Sequence, residues 1–150
     1  MRLIVLAVGR GRDDPAQRLF ESYSRRLPWP LELREIRNAG GGEAGREREA
    51  AALLKGLPEG AHVVALDGTG KSLTSEAFAA RLERIRDDGA AAVAFLIGGP
   101  DGHGDAALAR ADTVLSLGPM TWPHLLVRAM LAEQLWRAAS ILSGHPYHRS

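Results

Sequence analysis

The sequence predicts an α/β fold built on a mostly parallel sheet. Five short apolar or β-branched runs are separated by segments of helical periodicity. Strand and helix patterns alternate along the whole chain. The run at 91–97, "AAVAFLI", carries no polar residue, as a strand covered on both faces of a parallel sheet requires. The 150 residues suit one domain with a real core, and no linker, repeat or second domain interrupts them.

Each element has its own justification. Leu3 to Val8 is a buried strand stopped by Gly9. Asp14 then Pro15 reads as an N-cap followed by proline at the first helical position. That helix carries Leu19, Phe20, Tyr23 and Leu27 and ends at Pro28. "LELREI" (31–36) is the second strand, and "NAGGGEAG" (38–45) reads as a mobile glycine-rich loop. A helix over 46–57 stops near Gly56, and "HVVAL" (62–66) is the third strand. The helix over 74–89 is capped by Thr74 and stopped by Gly89. After the 91–97 strand come a short helix (105–111), a fifth strand (113–117) and the longest helix (123–142), with Pro123 near its first turn.

Composition excludes several classes. The net charge of +1 gives no global field for nucleic acid, so any RNA contact needs a local basic patch. Arg2, Arg10, Arg12, Arg25 and Arg26 are the candidates, and each reads equally as an ordinary surface arginine. The absence of cysteine rules out disulfides and thiolate metal sites and suits a reducing compartment. The opening apolar run of six residues is too short for a signal-peptide core or a membrane span, so the chain reads as cytoplasmic, with no membrane partner and no metal.

Ligands of parallel α/β sheets bind outside the carboxyl ends of the strands. Three glycine-bearing loops fall there: "DGTGKS" after strand three, "GGPDGHG" after strand four and "GPMTW" after strand five. "ALDGTGKS" (65–72) imitates a phosphate-binding loop, but Ala65 stands where the first glycine belongs. The following helix starts near Thr74, leaving Lys71 in a turn away from a helix amino end. Nor does any later strand end in an acid to hold magnesium. "GGPDGHG" also fails the dinucleotide fingerprint, because Ala107 occupies the third glycine position.

"LIVLAVGR" at the start, "FLIGGPDGHG", "LSLGPMTWPHLLVRAMLAEQLWRA" and the ending "HPYHRS" together resemble the RlmH-type 23S ribosomal RNA pseudouridine N3-methyltransferases, of the SPOUT class. The resemblance covers essentially the whole chain. It implies a parallel-sheet fold with a carboxyl-terminal deep trefoil knot, an exception to the rule against knots. It implies bent S-adenosyl-L-methionine (S-adenosylmethionine) held in that knot, and a homodimer with an active site shared across its interface. The substrate would be a pseudouridine of 23S rRNA on assembled ribosomes.

The resemblance places cofactor contacts at Leu66, Asp67, Gly68, Gly98, Gly99, Leu117, Gly118, Pro119, Met120, Thr121, Trp122 and Pro123. Leu66, Leu117, Met120 and Trp122 suit an apolar adenine slot, with backbone near Gly99 and 118–121 reading the base edge. Pro119 has no N–H, so no amide contact exists there. N3 of a pseudouridine must lose a proton before it attacks, and a base titrating near neutrality assists by about 10² to 10⁴. His148 is the first candidate and His124 the second. Arg149 or Arg137 suits the developing anion or a phosphate, and Tyr147 suits base stacking.

Plainer readings stand beside these. By composition alone the tail reads as a frayed end. Glu133 and Arg137, four apart, read as a solvated helix pair or as an active-site face. His124 reads as a helix-start residue, Trp122 as core, and Trp136 as packing. A non-catalytic ribosome-binding factor with the same fold is the alternative function.

Overall fold

A computed structural model describes residues 1–149. Its strands are β1 (Leu3–Val8), β2 (Leu31–Ile36), β3 (Ala61–Ser72), β4 (Ala92–Ile97) and β5 (Thr113–Ser116). Its helices are α1 (Pro15–Ser24), α2 (Gly42–Lys55), α3 (Ser75–Asp87), α4 (Asp105–Arg110) and α5 (His124–Ser143). The strands form one sheet in the order β2-β1-β4-β3-β5, and every pair is parallel. Among the described residues no helix is long and apolar enough to cross a membrane.

Strand alternation divides the core in two. Leu3, Val5, Ala7 and Phe95 face Phe20 of α1, Phe78 and Leu82 of α3, and Leu131 and Leu135 of α5. Ile4, Leu6, Val8, Ala94 and Leu96 face Leu53 of α2 and Ala107 of α4. The central β4 is buried along all of its residues, as its unbroken apolar run predicts. The capping expectations hold. Asp14 accepts from the Ala16 amide at 2.8 Å and Thr74 from the Ala77 amide at 3.0 Å.

Three expectations need correction. α1 ends at Ser24 rather than at Pro28, which leaves Leu27 beyond the helix. The glycine-rich stretch at 38–45 is not all loop, because α2 begins at Gly42. A Cβ on Gly45 would collide with the Gly40 carbonyl, so glycine here permits close packing rather than looseness. Nor does Lys71 lie in a turn. β3 runs on to Ser72, with Leu66 and Lys71 both opposite Leu115, so the residues between them bulge out and the strand resumes pairing. Asp67 Oδ2 braces the bulge by accepting from the Thr69 amide at 3.0 Å. A Cβ on Gly70 would strike the Val114 backbone, which is why the strand re-enters the sheet at a glycine.

Candidate active site

The three glycine-bearing loops converge on one cleft of about 260 Å³ at the carboxyl ends of β3, β4 and β5. Leu66, Asp67 and Gly68 come from β3 and its bulge, and Gly98 and Gly99 from the loop after β4. Leu117, Gly118, Pro119, Met120, Thr121 and Trp122 come from the loop after β5. Of the expected cofactor residues only Pro123 lies off this wall; it caps α5 and lines a shallow cavity with Asp14 and Pro15.

The cleft fits an adenosyl cofactor. Its inner wall is apolar, with Leu66, Ile97, Leu115 and Leu117. Met120 (72% exposed) and Trp122 (39% exposed) stand over it as large uncovered side chains. At Gly68, Gly102 and Gly118 an added Cβ would meet no atom within 4 Å, so the glycines leave open the space a ligand needs. Gly118 has φ +107, which disfavours any other residue. The loop is also tied to itself: the Gly118 amide donates to Ser116 Oγ at 3.1 Å, and Trp122 Nε1 donates to the Leu117 carbonyl at 3.3 Å. The Gly118 amide and the Trp122 ring N–H are therefore already engaged within the loop.

Two histidines border the cleft. His124 packs on Gly9, whose missing Cβ would lie 3.4 Å from His124 Nε2. Burial, and then the charge of Arg128, push its pKa below the ordinary value, so the ring is neutral at neutral pH. His103 was not expected. Its Nε2 meets the Leu96 carbonyl at 3.1 Å, and its Nδ1 is buried without a partner. Burial lowers its pKa too, against weaker opposing effects from the Leu96 carbonyl and Asp67.

The tail is ordered, which removes the frayed-end reading. Gly144 ends α5 in a left-handed conformation, and the chain folds back along the helix. Tyr147 OH donates to Glu133 Oε1 at 3.0 Å, and Arg137 Nε donates to the same oxygen at 2.9 Å. Arg137 lies 4.9 Å over the Tyr147 ring. Trp136 packs against His145 and Tyr147, as a packing residue should. Burial, then the Glu133 hydrogen bond, push the Tyr147 pKa up to about 12.

His148 sits between Arg137 and Glu76 of α3, with Nδ1 3.1 Å from Arg137 Nη1 and Nε2 2.7 Å from Glu76 Oε1. A guanidinium only donates, so Nδ1 is the acceptor and Nε2 carries the hydrogen given to Glu76. Arg149 follows and is exposed. Glu133, Arg137, Tyr147 and His148 thus form one cluster, and His124 is not part of it. Thirteen residues of helix separate His124 from Arg137, about 20 Å at 1.5 Å per residue.

Arg128 is the charged residue that the sequence reading missed. It is fully buried in α5; Nη1 donates to Glu35 Oε2 at 2.6 Å and Nη2 to the Gly9 carbonyl at 2.9 Å. The available signal was one arginine inside the apolar stretch Leu125 to Leu131. Among the described residues no group of three or more acids and histidines is placed to hold a metal.

A parallel α/β sheet whose carboxyl-end loops enclose an apolar, glycine-lined cleft belongs to the class of α/β proteins that bind ligands at this end of the sheet. The family described as "Predicted SPOUT methyltransferase" matches residues 1–148. The chain belongs to this family of methyltransferases. It is 58% identical over 151 residues to a protein of Paramagnetospirillum magneticum named "Ribosomal RNA large subunit methyltransferase H", with 99% of each chain covered. Proteins of the same name from Rhodospirillum centenum and Rhodospirillum rubrum are 55% and 52% identical, with the full length of each chain covered.

Proposed function

We propose that the chain is a cytoplasmic, S-adenosylmethionine-dependent methyltransferase that modifies N3 of a pseudouridine in 23S rRNA on assembled ribosomes. The observation that carries this reading is the convergence of the three glycine-bearing loops on one apolar cleft. Full-length similarity to ribosomal RNA methyltransferases supports the substrate class. In this reading α5 closes a trefoil knot. It leaves β5 at the sheet edge and returns across the sheet, where Arg128 bonds the end of β1.

The cofactor, when bound, supplies an already activated methyl group. Leu66, Ile97, Leu115 and Leu117 would hold the adenine, with Met120 and Trp122 on the outer side of the slot. The protein's work is then alignment of the acceptor and removal of its proton. His148 takes the N3 proton, Arg137 or Arg149 faces the imide anion, and Tyr147 stacks on a base. His148 has no free lone pair while Arg137 donates to it, so this step requires the substrate to displace that contact.

The His148 cluster lies along α5 from His124 at the cleft rim, and in a homodimer the tail of one chain would serve the cleft of the other. An apolar cavity of about 600 Å³ between α1, α3 and α5, lined by Leu19, Tyr23, Leu126 and Met130, is the surface a second copy would cover.

Calorimetric titration with S-adenosylmethionine and with Mg·ATP tests the cofactor, followed by transfer of labelled methyl to large ribosomal subunits. Saturable binding of the first ligand alone, with label mapping to a pseudouridine, is the expected result. Binding of Mg·ATP alone, or label on another base, overturns the reading.

A further inference from the structure

The near-neutral chain requires a local basic patch for RNA, and the structure separates its arginines into two groups. Arg2 precedes β1 and pairs with Glu32 at 3.7 Å, while Arg25 and Arg26 follow α1. All three lie at the amino edge of the sheet, away from the cleft. Arg10 and Arg12 instead follow β1 at its carboxyl end. Arg37 joins them, because Gly9 and Ile36 are bonded amide to carbonyl at 2.7 Å, so the residues after each are neighbours. All three are exposed. The ion pairs of the described residues leave all three free.

The nearby acids are committed elsewhere. Asp13 pairs with Arg18 at 3.0 Å, Asp14 caps α1, and Glu35 holds Arg128. The 9–12 loop is also held unusually firmly. Buried Arg128 grips the Gly9 carbonyl, and Glu35 accepts from the Gly11 amide at 2.5 Å. Arg12 has φ +48, the one non-glycine residue in that region among those described. The positive φ of Arg12 is thus held by a loop that Arg128 and Glu35 fasten beside the cleft. The rim also touches the cleft, since His124 lies on Gly9.

We infer that Arg10, Arg12 and Arg37 form a clamp for the phosphodiester backbone of the substrate RNA at the rim of the cofactor cleft. This rests on the proposed function and gives it a substrate-positioning surface. Arginine suits phosphate through paired N–H donors, and phosphate contacts set register without reading sequence.

The test uses the R10A/R12G/R37A variant, in which Arg12→Gly also relieves the positive φ, and R2A/R25A/R26A as a comparison. Affinity for large ribosomal subunits lacking the modification is measured between 50 and 200 mM salt, about the range over which phosphate contacts are lost. The rim variant is expected to bind S-adenosylmethionine as the wild type does. Its RNA affinity should fall about tenfold or more, and its log–log salt slope should shrink by about 2, three contacts at roughly 0.7 each. Arg10→Lys with Arg37→Lys should retain most of the slope, because lysine still meets phosphate as a point charge. An unchanged slope in a rim variant, alongside wild-type methylation of the subunits, overturns the clamp and leaves the function standing. If the wild type binds the cofactor but methylates neither subunits nor free 23S rRNA, the function fails and takes the clamp with it.

Discussion

Two arginine–glutamate pairs on the same helix have opposite characters. Arg128, near the start of α5, is 0% exposed and joins Glu35 from β2, far away in sequence. Arg137, nine residues later, is 24% exposed and joins Glu133 one turn back. The first pair fastens α5 to the ends of β1 and β2 and holds the 9–12 loop. The second pair, with members 24% and 18% exposed, supports the tail through Tyr147 and His148. Arg128 makes the difference: leaving that fully buried charge unpaired costs several kcal/mol, whereas a pair with both members partly exposed contributes about 1 kcal/mol or less. The inner pair is therefore a lock and the outer pair a working surface.

The largest effect should come from breaking the lock. Glu35→Ala should lower stability by about 3 kcal/mol, read as a shift in the urea midpoint, because it strands the fully buried Arg128. A loss under about 1 kcal/mol would erase the contrast. Breaking the working surface should do the reverse. His148→Ala and Arg137→Ala should each leave the urea midpoint and cofactor affinity nearly unchanged, while truncation after Gly144 should also remove the Tyr147 contacts and lower the midpoint modestly. His148→Ala should slow methyl transfer by about 10² to 10⁴. If the truncated chain still turns over, the tail is not catalytic.

The pH response sharpens the same contrast. Burial, the largest single influence on Glu35, raises its pKa. The Arg128 hydrogen bond, the Gly11 amide, and the charges of Arg128 and Arg10 together outweigh it, so the net shift is downward. A depressed carboxyl pKa stabilises the fold above its unfolded value, and that contribution is lost as pH falls through the folded value. Glu35→Gln should flatten the acid limb of the stability profile. Tyr147 has the opposite sign. With its pKa at about 12, it stabilises below its unfolded value near 10, and that contribution is lost as pH rises toward 12. Tyr147→Phe should remove this smaller alkaline dependence, followed by thermal unfolding between the two values. The smallest effect belongs to exposed Lys71, whose change to alanine should leave methyl transfer within a few-fold. A loss matching that of His148→Ala would restore a role for the strand bulge.

Much of this molecule was legible in its sequence, because short-range physics writes short-range signals. Strand runs, the Asp14 and Thr74 caps and the α/β class follow from local periodicity and capping chemistry. The rule that ligands gather at carboxyl strand ends placed the cleft, and the resemblance of 3–10, 95–104, 115–138 and 145–150 to a known family supplied candidate residues no pattern could rank. The 42–45 turn of α2 was hidden because glycine marks both looseness and close packing. The strand status of Lys71 was hidden because only pairing with Leu115 reveals the bulge. Tertiary structure alone paired Arg128 with Glu35, set His148 between Arg137 and Glu76, and brought Arg37 beside Arg10. Those contacts join segments up to 93 residues apart in sequence. The sequence determined the elements and the chemical groups available; burial and long-range pairing decided which charges are fixed, which can move, and which face the RNA.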